Sequence, residues 1–305
     1  MKTMRSSRRR GPVALALISA LFLTSCGIFS TLLFRKKPIT RNGKPASAQL
    51  SLMIASREDL IGRVRRIYDA INSFQTTVEM TPSIGSVYKG SINEIPDVRA
   101  FIFYRKPADI RIQAQTPVVR TQAFDMVSNG SDFRLFLNSK NLFYEGANDA
   151  PAISKNQFEN LRPKAFLSSM LVRPPETDES PVLTDLTDSE NALYVIHLIH
   201  KRENGDLLPS REIWFDRVDL NIVRQMVHND GGDIVSDTRY NKWQNYNGVA
   251  FPAHMDISRP IDAYGVVIDI EQMQMNKALT DDQFTLVRPE GSQLQVIGAP
   301  KQEAH

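Results

Sequence analysis

Apolar positions along the chain change their period once, shortly after residue 71. Before that point Leu60, Ile61, Val64, Ile67, Tyr68 and Ile71 recur at three-to-four spacing, while Arg63, Arg65, Arg66 and Asp69 fall off the stripe. Such a stripe predicts an amphipathic helix. Ser56 precedes its first turn, and Glu58 and Asp59 lie within it, where a hydroxyl caps free N–H groups and the helix dipole favours acids. Beyond the helix the period drops to two. Ile110, Ile112 and Ala114 alternate with Asp109, Arg111 and Gln113; Phe133, Leu135 and Leu137 alternate with Asp132 and Arg134; Val266, Ile268 and Ile270 flank Asp269. The alternation predicts strands at 74–80, 86–92, 98–105, 108–115, 122–128, 132–138, 141–145, 192–200, 211–218, 221–228, 234–242, 249–257 and 264–275. Asn129-Gly130, Asn204-Gly205, Gly231-Gly232 and Asn247-Gly248 supply hairpin turns between them. One-face-buried strands joined by hairpins make an antiparallel meander or barrel, so the expected class is mainly β. Residues 155–172, with Phe158, Leu161, Phe166, Leu167, Met170 and Leu171, interrupt the strands and predict one or two short helices broken at Pro163. Residues 173–190, with Pro174-Pro175 and six acids, read as a loop. A loose tail is expected from residue 289 to residue 305, in which Leu294 to Ile297 is the run able to add a short strand.

The N-terminus is apolar without either period. Residues 1–10 are basic, residues 12–23 are uncharged and apolar, and Leu23-Thr24-Ser25-Cys26 follows. This order of regions is that of a secretory signal. Its last four residues resemble the bacterial lipobox, which implies cleavage before Cys26 and diacylation of that cysteine. Residue 27 is Gly rather than the Asp that retains enterobacterial lipoproteins in the inner membrane. By that analogy the expected location is the periplasmic face of the outer membrane, with the inner membrane as the alternative. Residues 12–34 also form 23 uncharged positions, enough for an uncleaved spanning anchor, and the sequence leaves that second reading open. The expected organisation is a signal peptide over 1–25, a lipidated cysteine and flexible basic tether over 26–50, and a folded domain over 51–288.

Charge separates the tether from the domain. The whole chain has 37 basic and 34 acidic residues, yet from residue 50 onward the balance is 27 to 34. Arg35, Lys36, Lys37, Arg41 and Lys44 lie in the tether, where no acid accompanies them. A mildly acidic domain argues against nucleic acid as a partner, since a binder carries its basic stripe on the folded part. A basic tether suits an anionic membrane surface.

Catalytic and metal-binding patterns are not found. The one cysteine is taken by the lipobox, which excludes a disulfide within the chain and a cysteine-based metal centre. His197 and His200 are three apart on a predicted strand and point to opposite faces. His228 and His254 sit in no zinc-protease pattern, and no nucleophile elbow or phosphate loop is present. Asp237, Asp256 and Asp269 are scattered. No enzyme activity, metal or cofactor is expected.

One N-terminal amphipathic helix before a long meander with a helical interruption resembles the LolA/LolB-like superfamily of bacterial envelope lipoprotein and lipid carriers. The resemblance rests on Tyr104 to Ile112, on Ser128-Asn129-Gly130-Ser131-Asp132-Phe133-Arg134-Leu135-Phe136, on Ile213-Trp214-Phe215-Asp216, and on Asp281-Asp282-Gln283-Phe284. It implies an open antiparallel half-barrel with the helix and the helical insertion across its concave face. It also implies an apolar cavity for acyl chains, with membrane lipids, acylated lipoproteins and a soluble periplasmic carrier as partners. The expected lining is Leu60, Val64, Ile67, Tyr68 and Ile71 from the helix, with Phe101, Phe103, Ile110, Ile112, Met126, Phe133, Leu135, Ile213, Phe215, Met226, Val266 and Ile268 from strands. Each of these is equally an ordinary core position. The membrane-anchored LolB branch carries an exposed Leu in a Pro-Leu-Gly-like loop; here Pro117-Val118-Val119 matches, with Val119 replacing the Gly. A short buried turn is the competing reading of that loop. The alternative function is a non-catalytic envelope scaffold or sensor with a filled core.

Overall fold

The computed structural model describes residues 51–150 and 162–297, together with a two-residue strand pair, Thr40–Arg41 with Lys44–Pro45. The signal segment, Cys26, Phe158 and Leu161 lie outside the described residues.

Helix α1 spans Arg57–Ala70. Ser56 and Asp59 form a reciprocal capping box: the Asp59 N–H donates to Ser56 Oγ at 3.1 Å and the Ser56 N–H to Asp59 Oδ2 at 2.9 Å. No glycine ends the helix. Asn276, just past the strand that pairs with Ser73–Ser86, does that work, donating from Nδ2 to the Ala70 carbonyl at 2.8 Å and accepting the Asn72 N–H at 2.8 Å. Lys106 Nζ donates to the Tyr68 carbonyl at 2.8 Å. The carbonyls left open at the helix terminus therefore find tertiary partners.

Among the described residues, fifteen strands form one open sheet. In chain order they are β1 (Ser73–Ser86), β2 (Ser91–Glu94), β3 (Val98–Arg105), β4 (Asp109–Gln115), β5 (Gln122–Ser128), β6 (Asp132–Leu137), β7 (Leu142–Ala147), β8 (Glu179–Thr187), β9 (Ala192–Lys201), β10 (Leu207–Asp216), β11 (Ile222–His228), β12 (Ile234–Tyr246), β13 (Val249–Arg259), β14 (Tyr264–Met275) and β15 (Gln293–Ile297). The spatial order runs β8 to β14, then β1, then β3 to β7, then β15, with β2 beside β1. Every pairing is antiparallel except the parallel β7–β15. The mainly β, open-sheet class expected from the alternation is what is found. At Asn247-Gly248 both φ angles are positive, 58° and 88°, as a two-residue primed hairpin turn requires.

Several expectations change. Residues 179–187 are edge strand β8, not loop. The expected strand at 86–92 is a 3₁₀ turn, Val87–Lys89, followed by β2. Pro163 begins a helix, α2 (Pro163–Met170), rather than breaking one, because the first helical position needs no N–H partner. Within the expected tail, Gln293–Ile297 adds β15 to the sheet.

The segment from Asn276 to β15 straps the convex face. Arg105 Nη1 donates to the Leu279 carbonyl at 3.2 Å, Arg111 Nη1 to that of Gln283 at 3.2 Å, and Arg134 Nη1 to that of Leu286 at 3.3 Å. Leu286 closes a second apolar cluster with Val127, Phe136 and Phe143. Among the described residues no helix is long and apolar enough to cross a membrane.

Candidate functional site

Sheet register decides which side chains share the concave face. Ile102 opposes Ile112, Ile112 opposes Met126, and Met126 opposes Leu135. Met80 opposes Ile268 in the same way, and Val266 opposes Ile257. Directly opposed residues point to one side, so these form the inner surface, and all belong to the main core. Phe101 and Phe103 oppose Gln113 and Arg111, and so face outward, contrary to the expectation. Ile102 and Tyr104 occupy the inner positions, 0 % and 1 % exposed. Met226 also faces outward, opposite Glu212 and Asp237. A register shift between Trp214 and Phe215 breaks the alternation across β11, placing Gln225 inside, at 2 % exposure.

The two helices fill the concave face unequally. Leu60, Val64 and Ile71 of the α1 segment mesh into the core with Ile110, Phe133, Leu135, Ile213, Phe215 and Ile268. Ile67 and Tyr68 are partly buried. Ile67, Tyr68 and Ile71 line a cleft of about 20 Å³ with Met170, Tyr240, Trp243 and Phe251. That is room for about one water molecule, not for an acyl chain. Of the expected α1 lining, Ile67, Tyr68 and Ile71 border this cleft, and Leu60 and Val64 are fully packed in the core.

A larger apolar hollow lies beside α2. Tyr240 Oη donates to the Ser169 carbonyl at 2.7 Å, and Gln225 Nε2 to that of Ser168 at 3.1 Å. The Ser169 and Ser236 hydroxyls meet at 3.1 Å. These buried contacts hold the C-terminal half of α2 against β11 and β12. Towards the other side Phe166 faces a hollow of about 270 Å³. Its walls come from β1 (Met80, Pro82, Ile84), β3 (Val98), β4 (Ile112), β5 (Ala123, Phe124, Met126), β6 (Leu137) and β14 (Tyr264, Val266). Its polar margin is Ser83, Ser139, Lys140 and Arg162. Burial pushes the Tyr264 phenol up to about 12, so it stays neutral over the physiological range. Of the expected lining, Ile112, Met126 and Val266 are brought together here.

A second hollow of about 650 Å³ lies against the opposite flank of α2, lined by Ala165, Leu167, Ser168 and Leu171 of that flank, by Tyr68 and Tyr104, by Lys164, Arg173 and Arg259, and by Asn129, Ser131, Asn148 and Asp149. Arg162 lines both spaces. Its side chain is buried and its guanidinium carbon stands 5.1 Å over the Phe133 ring. Sequence reasoning missed Arg162, Tyr264 and the β1 wall. An arginine next to a helix-initiating proline was the available signal.

The Pro117-Val118-Val119 loop is exposed, not buried: Val118 is 90 % and Val119 76 % accessible. It caps the β4–β5 hairpin at the sheet end that also carries exposed Tyr88 and Ile92. His197 and His200 meet different carboxylates, Glu212 at 3.5 Å and Asp178 at 3.2 Å. Among the described residues no group of three metal-ligating side chains converges.

No family profile and no curated protein matches the sequence. Solved structures do. A LolA superfamily protein from Nitrosomonas europaea aligns over 76 % of this chain and 99 % of its own, at 14 % identity and a TM-score of 0.50. A DUF1329 family protein from Desulfovibrio piger aligns over 75 % and 95 %, at 13 % identity and 0.49. A domain named for outer-membrane lipoprotein sorting, from Vibrio parahaemolyticus, aligns over 75 % and 97 %, at 10 % identity and 0.47. With its open curved sheet, N-terminal helix and short second helix, this chain has the fold of the LolA superfamily protein.

Proposed function

We propose that this chain is a lipid-anchored, non-catalytic protein of the bacterial envelope that takes an acyl chain into the hollow between α2 and the concave sheet. The observation that carries the reading is the apolar lining of that 270 Å³ space, with Phe166 on one wall and Met126 and Val266 on others. An acyl chain has no polar handle. Its site needs apolar area and exclusion of water, and each buried methylene contributes roughly 0.8 kcal/mol. The LolA-type fold fits a carrier of lipid or acylated protein, and a soluble periplasmic carrier fits as the donor. Cys26 and the basic tether would hold the protein at the periplasmic face of the outer membrane, with the inner membrane as the other location.

The exposed rim extends the reading. Val118, Val119, Tyr88 and Ile92 stand at the sheet end where Ile84, Val98 and Lys140 line the hollow. Lys89, Arg120 and Lys140 are exposed at the same end. Apolar tips among cations suit an anionic bilayer surface, each cation contributing about 1 kcal/mol there. The hollow's ligand would then pass directly between site and membrane.

Val266→Phe tests the site. The added ring occupies the hollow, so laurate affinity is expected to fall at least tenfold (about 1.4 kcal/mol). Filling the space leaves stability equal or higher, because a void on the core surface is removed. Isothermal titration and a thermal melt of the same sample read both. Unchanged laurate affinity in a folded Val266→Phe protein would count against the hollow as the site.

A further inference from the structure

Resting on the acyl-binding reading, we propose that the 270 Å³ hollow selects its ligand by length: it takes one acyl chain of about eleven carbons, and Phe166 sets that limit. An apolar cavity of about 150 Å³ accepts benzene, which is about 25 Å³ for each carbon. On that scale about eleven carbons fill the hollow, the hydrocarbon part of laurate. A second chain on the same ligand finds no room beside the first. The larger hollow is on the opposite flank of α2, with the helix between.

The lining has an open and a closed end. Ser139 and Lys140 are exposed, Ile84 and Val98 are half-buried, and Ile112 at the other extreme is 1 % accessible. A chain entering past the exposed residues leaves water methylene by methylene until the space ends. Sheet register fixes most of the wall: Val266 opposes Pro82, Tyr264 opposes Ile84, and Ile112 opposes Met126. Helix α2 contributes one residue to the described lining, Phe166, and its ring is buried. The bonds from Tyr240 and Gln225 to the Ser169 and Ser168 carbonyls hold α2 at its distance from the sheet. With sheet and helix both fixed, the size of the Phe166 ring decides how much of the space a ligand can fill.

The test is calorimetric titration of the full mature protein with octanoate, decanoate, laurate, myristate and palmitate, each below its micellar concentration. A buried methylene is worth about fourfold in affinity, so each two-carbon step up to laurate should tighten binding about fifteenfold. Steps beyond laurate leave the added methylenes in water and should gain less than about twofold each. Phe166→Ala removes a ring the size of benzene, room for about six further carbons, and should carry the steep region past myristate. Should that variant fail to fold, Phe166→Leu keeps an apolar side chain on α2 and should move the break to myristate. Val266→Phe should move it the other way, to octanoate. A fifteenfold gain at every step through palmitate, or a break already at octanoate in the unaltered protein, would overturn the eleven-carbon limit and leave the acyl site standing. A break that stays at laurate in folded Phe166→Ala or Phe166→Leu protein would overturn Phe166 as the residue that sets it. No binding of any of these acids would overturn the acyl reading itself.

Discussion

Replacing Arg211 by alanine is expected to lower the unfolding free energy by about 3–5 kcal/mol, the range for breaking a buried ion pair from one side. Arg211 and Glu179 are both 8 % exposed in their side chains. Arg211 Nε donates to Glu179 Oε1 at 2.9 Å, and its Nη2 also bonds the carboxylate. Its remaining N–H groups bond the carbonyls of Arg173 at 3.0 Å and Pro174 at 3.1 Å. One guanidinium thus ties the loop after α2 to edge strand β8 and to β10. Truncating it leaves a buried carboxylate and two carbonyls behind. Burial pushes the Glu179 carboxyl up, but the bonds from Arg211, the Glu176 N–H and the Ser210 hydroxyl outweigh it and hold it at about 2, against 4.5 when unperturbed. A depressed carboxyl stabilises the fold above its unfolded value and loses that contribution as pH falls through the folded one. A shift from 4.5 to about 2 corresponds to about 3 kcal/mol, lost between pH 4.5 and 2. Urea melts of both proteins at pH 7 and at pH 3 check this: the gap between wild type and Arg211→Ala should narrow at the lower pH. A gap that holds or widens would contradict the account.

Leu60→Ala is expected to cost about 2–5 kcal/mol while laurate affinity stays within roughly twofold. Leu60 is fully buried in the main core. The hollow beside α2 has no α1 residue in its described lining. On the proposed reading, helix α1 is a fixed part of the core and not a lid. Chemical denaturation reads the first quantity and calorimetric titration the second. A folded Leu60→Ala protein that loses laurate would place the ligand under α1 after all.

The elements that were readable from the sequence are those whose physics is local. The α1 stripe has Ser56 before it and acids in its first turn, and the helix starts at Arg57. Val98–Arg105, Gln122–Ser128 and Tyr264–Met275 fall at the expected boundaries, because alternation and turn residues both mark them. Face assignment failed where a second layer covers the sheet. Ala100-Phe101-Ile102-Phe103-Tyr104 is apolar at every position, since the C-terminal strap lies over the convex side: Arg105 stacks on Phe284 of that strap at 4.8 Å. A continuous apolar run carries no information about which face is inward. Met226 failed for another reason, a bulge that no residue type announces. Strand β8 was hidden by its own edge position. It contains Pro181 and exposes Val182, Asp185 and Leu186, a composition that guards an unpaired edge and resembles a loop. The hollow was not readable at all. Whether Val64 or Val266 borders empty space depends on how two helices of different length share one concave surface.

Crystals of the protein grown with terminally brominated laurate locate the chain by the bromine's anomalous signal. The account places that signal among Phe166, Met126 and Val266. Bromine between α1 and Trp243, or confined to the outer surface, would contradict it.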